Sequence, residues 1–348
     1  MSAKQAARAT GAAVILVLGI LAAPASATFP GQNGQISFFK FVETSNSAEI
    51  WGANADGTNQ VQLTHSGANH AAVESDWSPD GQRIAFDSDR LRETDGDVQI
   101  FTMDRGGDQV DVKQVTTGSG FHGDPAYSPD GQWLAVEADL GDYPANEGIY
   151  IVPAAPSSPV IVQPTDKVVG IAGNWVGVSE PQFSPDGEWL TFTAFKNCNR
   201  LVFSHHPQPS GCTTAIYKVR TDGSDLQRMT GWGENASYSD WSPDGNWILH
   251  DTGDNGKQGQ QGGIWEMRAD GTFDHFLVAG KSSTQKRVNF YQNGVFSPDQ
   301  QFLAFTHFLP ITSQLEMSSA SGANVTPTVV PAATDFVNRV DWGPAPAG

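Results

Sequence analysis

The sequence predicts an all-β chain folded as a six-bladed β-propeller with four-stranded blades, its ring closed by a C-terminal strand that joins the N-terminal blade (a 3+1 closure). Three observations carry this. A turn-forming tetrapeptide recurs at nearly even spacing. Each copy is flanked by short runs of strand periodicity. The two ends of the chain hold complementary fragments of one repeat.

The tetrapeptide is Ser78-Pro79-Asp80-Gly81, repeated as Ser128-Pro129-Asp130-Gly131, Ser184-Pro185-Asp186-Gly187 and Ser242-Pro243-Asp244-Gly245, with a degenerate fifth copy, Ser297-Pro298-Asp299-Gln300. Successive copies start 50, 56, 58 and 55 residues apart. Proline presets φ at the first central position, Asp bonds nearby backbone N–H groups, and Gly takes the left-handed conformation that closes a bulged hairpin. Gln300 lacks that freedom, so the fifth turn is expected to be strained or differently shaped.

An aromatic precedes each serine: Trp77, Tyr127, Phe183, Trp241 and Phe296. After each turn comes a period-two run, as in Ile84-Ala85-Phe86 or Leu190-Thr191-Phe192. A third run follows (Ile100-Phe101, Ile149-Tyr150, Ile216-Tyr217, Ile264-Trp265), then a second glycine turn such as Thr221-Asp222-Gly223, then a short fourth run such as Met229-Thr230. The N-terminal fragment, Asn33-Gly34-Gln35-Ile36-Ser37-Phe38, begins at its turn. The C-terminal one, Asp341-Trp342-Gly343-Pro344, stops at its turn. Three strands from one end and one from the other complete a sixth blade, and the closure buries edges that would otherwise invite aggregation.

These repeats resemble those of TolB-type propellers, whose signature is aromatic-Ser-Pro-Asp-Gly followed by an Ile-Ala-Phe-like strand, over roughly residues 30–344. The resemblance implies the fold more than the activity, because such propellers serve as binding platforms, enzymes and accessory domains. The N-terminal α/β domain of TolB has no counterpart in this sequence. Nor has the hydrolase domain that accompanies related propellers in prolyl oligopeptidase-like enzymes. Secreted polysaccharide lyases with this repeat have seven blades, not six.

Residues 1–27 read as a secretory signal peptide: Lys4 and Arg8, an apolar stretch over 12–23, and the small-residue site Ala25-Ser26-Ala27. The remainder, 28–348, reads as a single propeller domain, periplasmic or extracellular and monomeric. No run of 18 apolar residues follows residue 27, so no transmembrane span is expected in the mature chain. Export suggests a disulfide between Cys198 and Cys212 across a short loop, contributing about 3 kcal/mol. The alternative is a metal site using His205 and His206, although the 13 residues between the cysteines lack the usual close pairing. A formal net charge of −18 disfavours nucleic acid as a partner.

The leading strand of each propeller blade lines the central channel. Counting back four residues from each turn serine gives Glu74, Asp124, Glu180, Tyr238 and Asn293, with Arg339 at the matching place before Gly343. Glu74, Asp124 and Glu180 together are an oxygen-rich set of the kind Ca²⁺ takes; otherwise they form a solvated acidic ring partly neutralised by Arg339. The turn aspartates (Asp80, Asp130, Asp186, Asp244) occur once per blade and cannot share a catalytic site. Asp76, Asp240 and Asp341 read as inter-blade hydrogen-bond partners. His122, Tyr238 and Arg339 could supply the base, acid and charge neutraliser of an eliminating lyase, with His70 nearby. His307 reads as a rim residue, and Asp251 as the start of a polar loop without the terminal Glu of a calcium loop. No Gly-x-Ser-x-Gly, His-Glu-x-x-His or phosphate-cradling loop is present. The sequence therefore suggests an exported, non-catalytic module that presents an acidic channel mouth to a protein or polysaccharide partner. The alternatives are a secreted polysaccharide lyase and a TolB-like envelope component.

Overall fold

A computed structural model describes residues 29–91, 97–141, 143–197, 212–252, 262–279, 290–329 and 335–347. The first 27 residues, Cys198, His205 and His206 lie outside them.

The strands run in chain order around a ring. Blade 1 holds β1 (Asn33–Val42), β2 (Ser47–Asn54) and β3 (Val61–Gln62). Blade 2 holds β4 (Ala72–Trp77), β5 (Arg83–Ser88), β6 (Gln99–Asp104) and β7 (Gly107–Gln114). After β8 (Thr116–Thr117), blade 3 comprises β9 (Phe121–Tyr127), β10 (Trp133–Asp139), β11 (Glu147–Pro153) and, beyond the short β12 (Val160–Ile161), β13 (Lys167–Gly170). Blade 4 holds β14 (Trp175–Phe183), β15 (Trp189–Lys196), β16 (Thr213–Arg220) and β17 (Gln227–Arg228). Blade 5 holds β18 (Ala236–Trp241), β19 (Trp247–Thr252), β20 (Gly263–Arg268) and β21 (His275–Ala279). Blade 6 holds β22 (Phe290–Phe296), β23 (Phe302–Phe308), β24 (Ser313–Ser319) and β25 (Thr326–Val329). The last strand, β26 (Phe336–Pro344), becomes the inner strand of blade 1, in the order β26-β1-β2-β3. The six four-stranded antiparallel sheets and the 3+1 closure are those the repeats predict. Strands β8 and β12 add a small parallel pair beside them.

The core is divided among the blade interfaces. Between blades 1 and 2, Ile50 and Leu63 pack with Trp77, Ile84 and Phe86. Between blades 3 and 4, Ala135 and Ile149 meet Phe183, Leu190 and Phe192. Between blades 6 and 1, Ala304 and Leu315 meet Ile36, Phe38 and Trp342. Each aromatic before a turn serine thus fills the seam facing the preceding blade, which is why the repeat keeps one there.

The turn chemistry is equally regular. In the first copy the Ser78 hydroxyl donates to Asp80 Oδ1 (2.6 Å) and accepts from the Arg83 N–H (2.9 Å), while Gly81 takes φ 65°. The degenerate copy keeps the same shape: Ser297 donates to Asp299 (2.7 Å) and Gln300 adopts φ 58°. The fifth turn is therefore not differently shaped. Gln300 holds the left-handed conformation that Gly takes elsewhere, at a cost of about 1–2 kcal/mol.

Candidate channel-mouth site

All six residues picked out by counting back from the turns are left-handed: Glu74 (φ 51°), Asp124 (48°), Glu180 (59°), Tyr238 (53°), Asn293 (55°) and Arg339 (55°). Each sits at a β-bulge in the inner strand of its blade. The ladder slips between Val73 and Asp76 in β4, between Ser179 and Gln182 in β14, and between Ser237 and Asp240 in β18. A bulge turns one side chain per blade into the channel. A non-glycine residue in this conformation costs about 1–2 kcal/mol, so something must hold it. The neighbouring blade does so through the backbone. The Tyr238 N–H donates to Glu180 Oε2 (3.1 Å) and Thr193 Oγ1 (3.3 Å), and the Asn293 N–H to Asp251 Oδ2 (3.0 Å). The Glu180 N–H donates to Asp124 Oδ2 (3.3 Å), and the Asp124 N–H to Asp87 Oδ2 (3.4 Å).

The six side chains line one cavity of about 80 Å³. Arg339 meets four of the other five. Its Nε is 2.8 Å from Glu74 Oε2, and one terminal nitrogen is 3.3 Å from Glu180 Oε1 and 4.0 Å from Asp124 Oδ1. Its Cζ stands 3.9 Å from the centroid of the Tyr238 ring, a cation–π contact. Burial works against the charge of this guanidinium, but Glu74, Tyr238, Glu180 and Asp124 together hold its pKa above the ordinary arginine value. The acidic ring is therefore not solvated, as one reading of the sequence had it; Glu180 is 5% exposed and Asp124 6%.

The three carboxylates of the calcium reading meet in the same geometry. Glu74, Asp124 and Glu180 converge on Arg339, the cation they share. Among the described residues no three His, Cys, Asp or Glu side chains are grouped to hold a metal. The lyase constellation comes apart. Tyr238 and Arg339 meet, but His122 does not line the cavity. Its Nδ1 lies 3.3 Å from the Val98 carbonyl, and burial pushes its pKa down to about 4. His70 pairs with Asp89 (3.3 Å) away from the mouth. His307, expected at a rim, is buried with Nδ1 2.6 Å from Glu316.

The sequence reading missed a second tier behind the ring. Asp87, Glu137 and Asp251 lie on the second strands of their blades, and all three are buried. Asp251 belongs to β19, not to a loop. Burial pushes all three carboxyls well above their ordinary range; Glu74 and Asp124 add to this at Asp87, and Asp124 at Glu137. The signal was present as an acid directly after the strand aromatic or aliphatic, in Phe86-Asp87 and Val136-Glu137.

The inter-blade reading of Asp76, Asp240 and Asp341 matches the contacts. Asp341 accepts from the Trp77 N–H (2.8 Å), Asp76 from Tyr127 (2.7 Å) and Asp240 from Phe296 (2.9 Å), each on the next blade. The three also line the mouth cavity. Burial raises Asp341 to about 6, and burial with the nearby Asp341 charge raises Asp76 well above the ordinary range. Raised carboxyls favour folding in their protonated form. Their contribution is fully present below the ordinary carboxylate range near 4 and is lost as pH rises through about 6. The midpoint of thermal unfolding, followed by calorimetry, is therefore expected to be higher at pH 5 than at pH 8. A midpoint that climbs steadily over that interval would contradict the burial of these acids.

Two polar side chains of the mouth are unsatisfied among the described residues. Asn293 is 6% exposed, and neither its Oδ1 nor its Nδ2 has a hydrogen-bond partner among the described residues. The Ser239 hydroxyl, lining the same cavity, is likewise unpartnered there. Buried amides are normally paired, so this one calls for a bound group or water.

No family model matches the chain. The Agrobacterium fabrum protein Atu1656 is 27% identical over 201 residues, 56% of this chain. The chain spans about half of that relative, 54% of its length. Among solved structures, TolB from Acinetobacter baumannii superposes with a TM-score of 0.66 at 18% identity, covering 91% of this chain and 68% of that one. A putative TolB from Agrobacterium tumefaciens gives 0.55 at 18% identity, covering 90% and 99%. At such identity the likeness shows a shared TolB-like propeller fold. No helix among the described residues is long and apolar enough to cross a membrane.

Proposed function

We propose that this chain is an exported, non-catalytic binding module that offers its channel mouth to a protein or polysaccharide partner. The observation that carries the reading is the buried Asn293 amide, unpartnered at the edge of a preorganised cavity. Three carboxylates facing a single guanidinium leave the ring with acid in excess, which suits a partner bringing a cationic or hydrogen-bonding group. The mouth is poorly equipped for elimination chemistry. Among the described residues no imidazole lines it, and burial lifts Tyr238 well above its ordinary pKa, so its phenol is a weak acid. In this reading the mature chain starts at Thr28, forms one monomeric propeller domain and is periplasmic or extracellular. A Cys198–Cys212 bridge staples the loop ahead of β16, which denaturing thiol titration tests by finding no free thiol.

Asn293→Gly tests the mouth itself, because Gly keeps the left-handed backbone while removing the amide. Parent and variant would be titrated against panels of basic peptides and polysaccharides by biolayer interferometry. A partner held by the parent is expected to bind the variant at least tenfold more weakly, the size of one lost buried hydrogen bond. Equal binding by both proteins would refute the mouth as the binding face. Ultraviolet absorbance from an unsaturated uronide, released by the parent from any polysaccharide, would refute the non-catalytic reading.

A further inference from the structure

The repeats supply internal controls for a second site. The first residue of the second strand is Trp in three successive blades: Trp133, Trp189 and Trp247. In blade 4 the chain covers Trp189 with its own cations. Lys218 Nζ lies 4.7 Å and Arg220 Cζ 4.4 Å from the ring centroids. In blade 5, Arg268 covers Trp247 at 5.6 Å. Register explains both: Arg220 is opposite Trp189, Lys218 opposite Thr191, and Arg268 opposite Trp247. In blade 3 the same register puts Pro153 opposite Trp133 and Ile151 opposite Ala135. Trp133 is 44% exposed, and no cation or second ring stacks on it among the described residues.

Lys218 has a second role. It crosses the seam to blade 5, where its ammonium donates to the Ala269 carbonyl (2.8 Å). The equivalent of Ala269 one blade earlier is Thr221. The Ala269 N–H bonds Asn246 O (2.9 Å) and the Thr221 N–H bonds Glu188 O (3.0 Å), each just past a third strand. Between blades 3 and 4, then, the carbonyl position and the Trp are retained while Ile151 replaces the lysine. The result is a cleft of about 430 Å³. Pro129, Trp133, Ile151 and Phe183 give it apolar walls, and Asp130 and Asp186 stand at its edge. Each of these carboxylates uses only Oδ1 in its own turn.

We propose that this cleft docks an alkylammonium side chain, a lysine presented by a basic segment of a partner protein. The incoming stem lies along Ile151 and Phe183. The ammonium faces the Trp133 ring, the Thr221 carbonyl and the Asp186 carboxylate, reproducing from outside what Lys218 does within the next seam. Lysine suits such a place because its stem is apolar and its head is a compact cation. The net charge of −18 favours approach of such a segment. The site is separate from the channel mouth and does not depend on the function proposed for it.

The test is a fluorescence-polarisation titration of the mature protein with a labelled oligolysine peptide at physiological salt, with the Nζ-acetylated peptide as control. Trp133→Ala is expected to weaken binding at least tenfold. Ile151→Lys is expected to fill the cleft, abolish binding and raise the melting midpoint. The acetylated peptide is expected not to bind. Peptide binding unchanged in both variants would mean attachment to the acidic surface at large and would overturn the proposal. So would equal binding of the acetylated peptide, or an oligosaccharide whose binding is lost in Trp133→Ala. Trp133 is exposed, so that variant remains informative even if Ile151→Lys fails to fold.

Discussion

Removal of residues 336–348 is expected to leave a chain without a cooperative unfolding transition. Strand β26 is the inner strand of blade 1, with Trp342 paired to Ile36 and Val337 to Lys40. Val337, Val340 and Trp342 are buried in the seam between blades 6 and 1. The strand also fits closely at its end: a Cβ on Gly34 would lie 2.5 Å from the Pro344 carbonyl oxygen. Losing a buried Trp alone costs about 3–5 kcal/mol, and a whole domain has only about 5–15 kcal/mol to lose. Truncation removes several such side chains, the acceptor for the Trp77 N–H and the shared cation of the mouth together. It also bares the edge of β1, which invites association between chains. Urea titration followed by circular dichroism would decide the matter. A single sharp transition near the parent midpoint would show that the ring does not need its closing strand.

Arg339→Met is expected to destabilise the full chain by about 3–5 kcal/mol at pH 7, because three carboxylates then share a buried cavity without a counter-charge. Met keeps the stem and is no worse than Arg in the left-handed conformation. Without the guanidinium the three carboxylates repel one another with nothing to offset them, a repulsion that acid relieves. The deficit should therefore shrink as pH falls toward the ordinary carboxylate range near 4. Adding Glu74→Gln and Glu180→Gln should restore much of the loss, since a buried ion cluster replaced as a whole is tolerated far better than one that is broken. Calcium should raise the melting midpoint of Arg339→Met and leave that of the parent unmoved. A parent that responds to calcium while Arg339→Met does not would reverse the assignment of Arg339 as the resident cation.

Much of this architecture was legible because the repeat encodes it locally. Ser, Pro, Asp and Gly each have a visible task in the turn, and strand periodicity around them fixes which residues fill the seams. Counting from the turn then located all six mouth residues. What counting could not supply was their state. The bulges that turn them into the channel arise from pairing between strands, which one sequence does not display. Burial of the ring follows from the convergence of six blades on one small cavity, so Asp124 and Glu180, which looked solvated, are buried and Arg339 acts as their counter-ion. His122 misled for a related reason. It stands only two residues before Asp124, but opposite Ala138 in the register, so it packs beside Val98 and not in the mouth. Asp87 and Glu137 were overlooked, and Asp251 was read as a loop residue, because their significance lies in neighbours from other blades.

The left-handed bulges separate recognition from architecture. Each blade sends one side chain into a common space, and in blades 3 to 6 a backbone N–H, which every residue except proline possesses, fixes it to the neighbouring blade. Identity at 74, 238 and 293 can change without disturbing turns, seams or strand pairing, provided that the charges in the cavity still balance, whereas the Asp124 and Glu180 carboxylates and Arg339 themselves hold the ring together. The ring is in effect a socket with three variable positions and three that hold it. A library confined to residues 74, 238 and 293, enriched in Asp, Asn and Gly for their backbone tolerance, would sample new specificities on an unaltered scaffold.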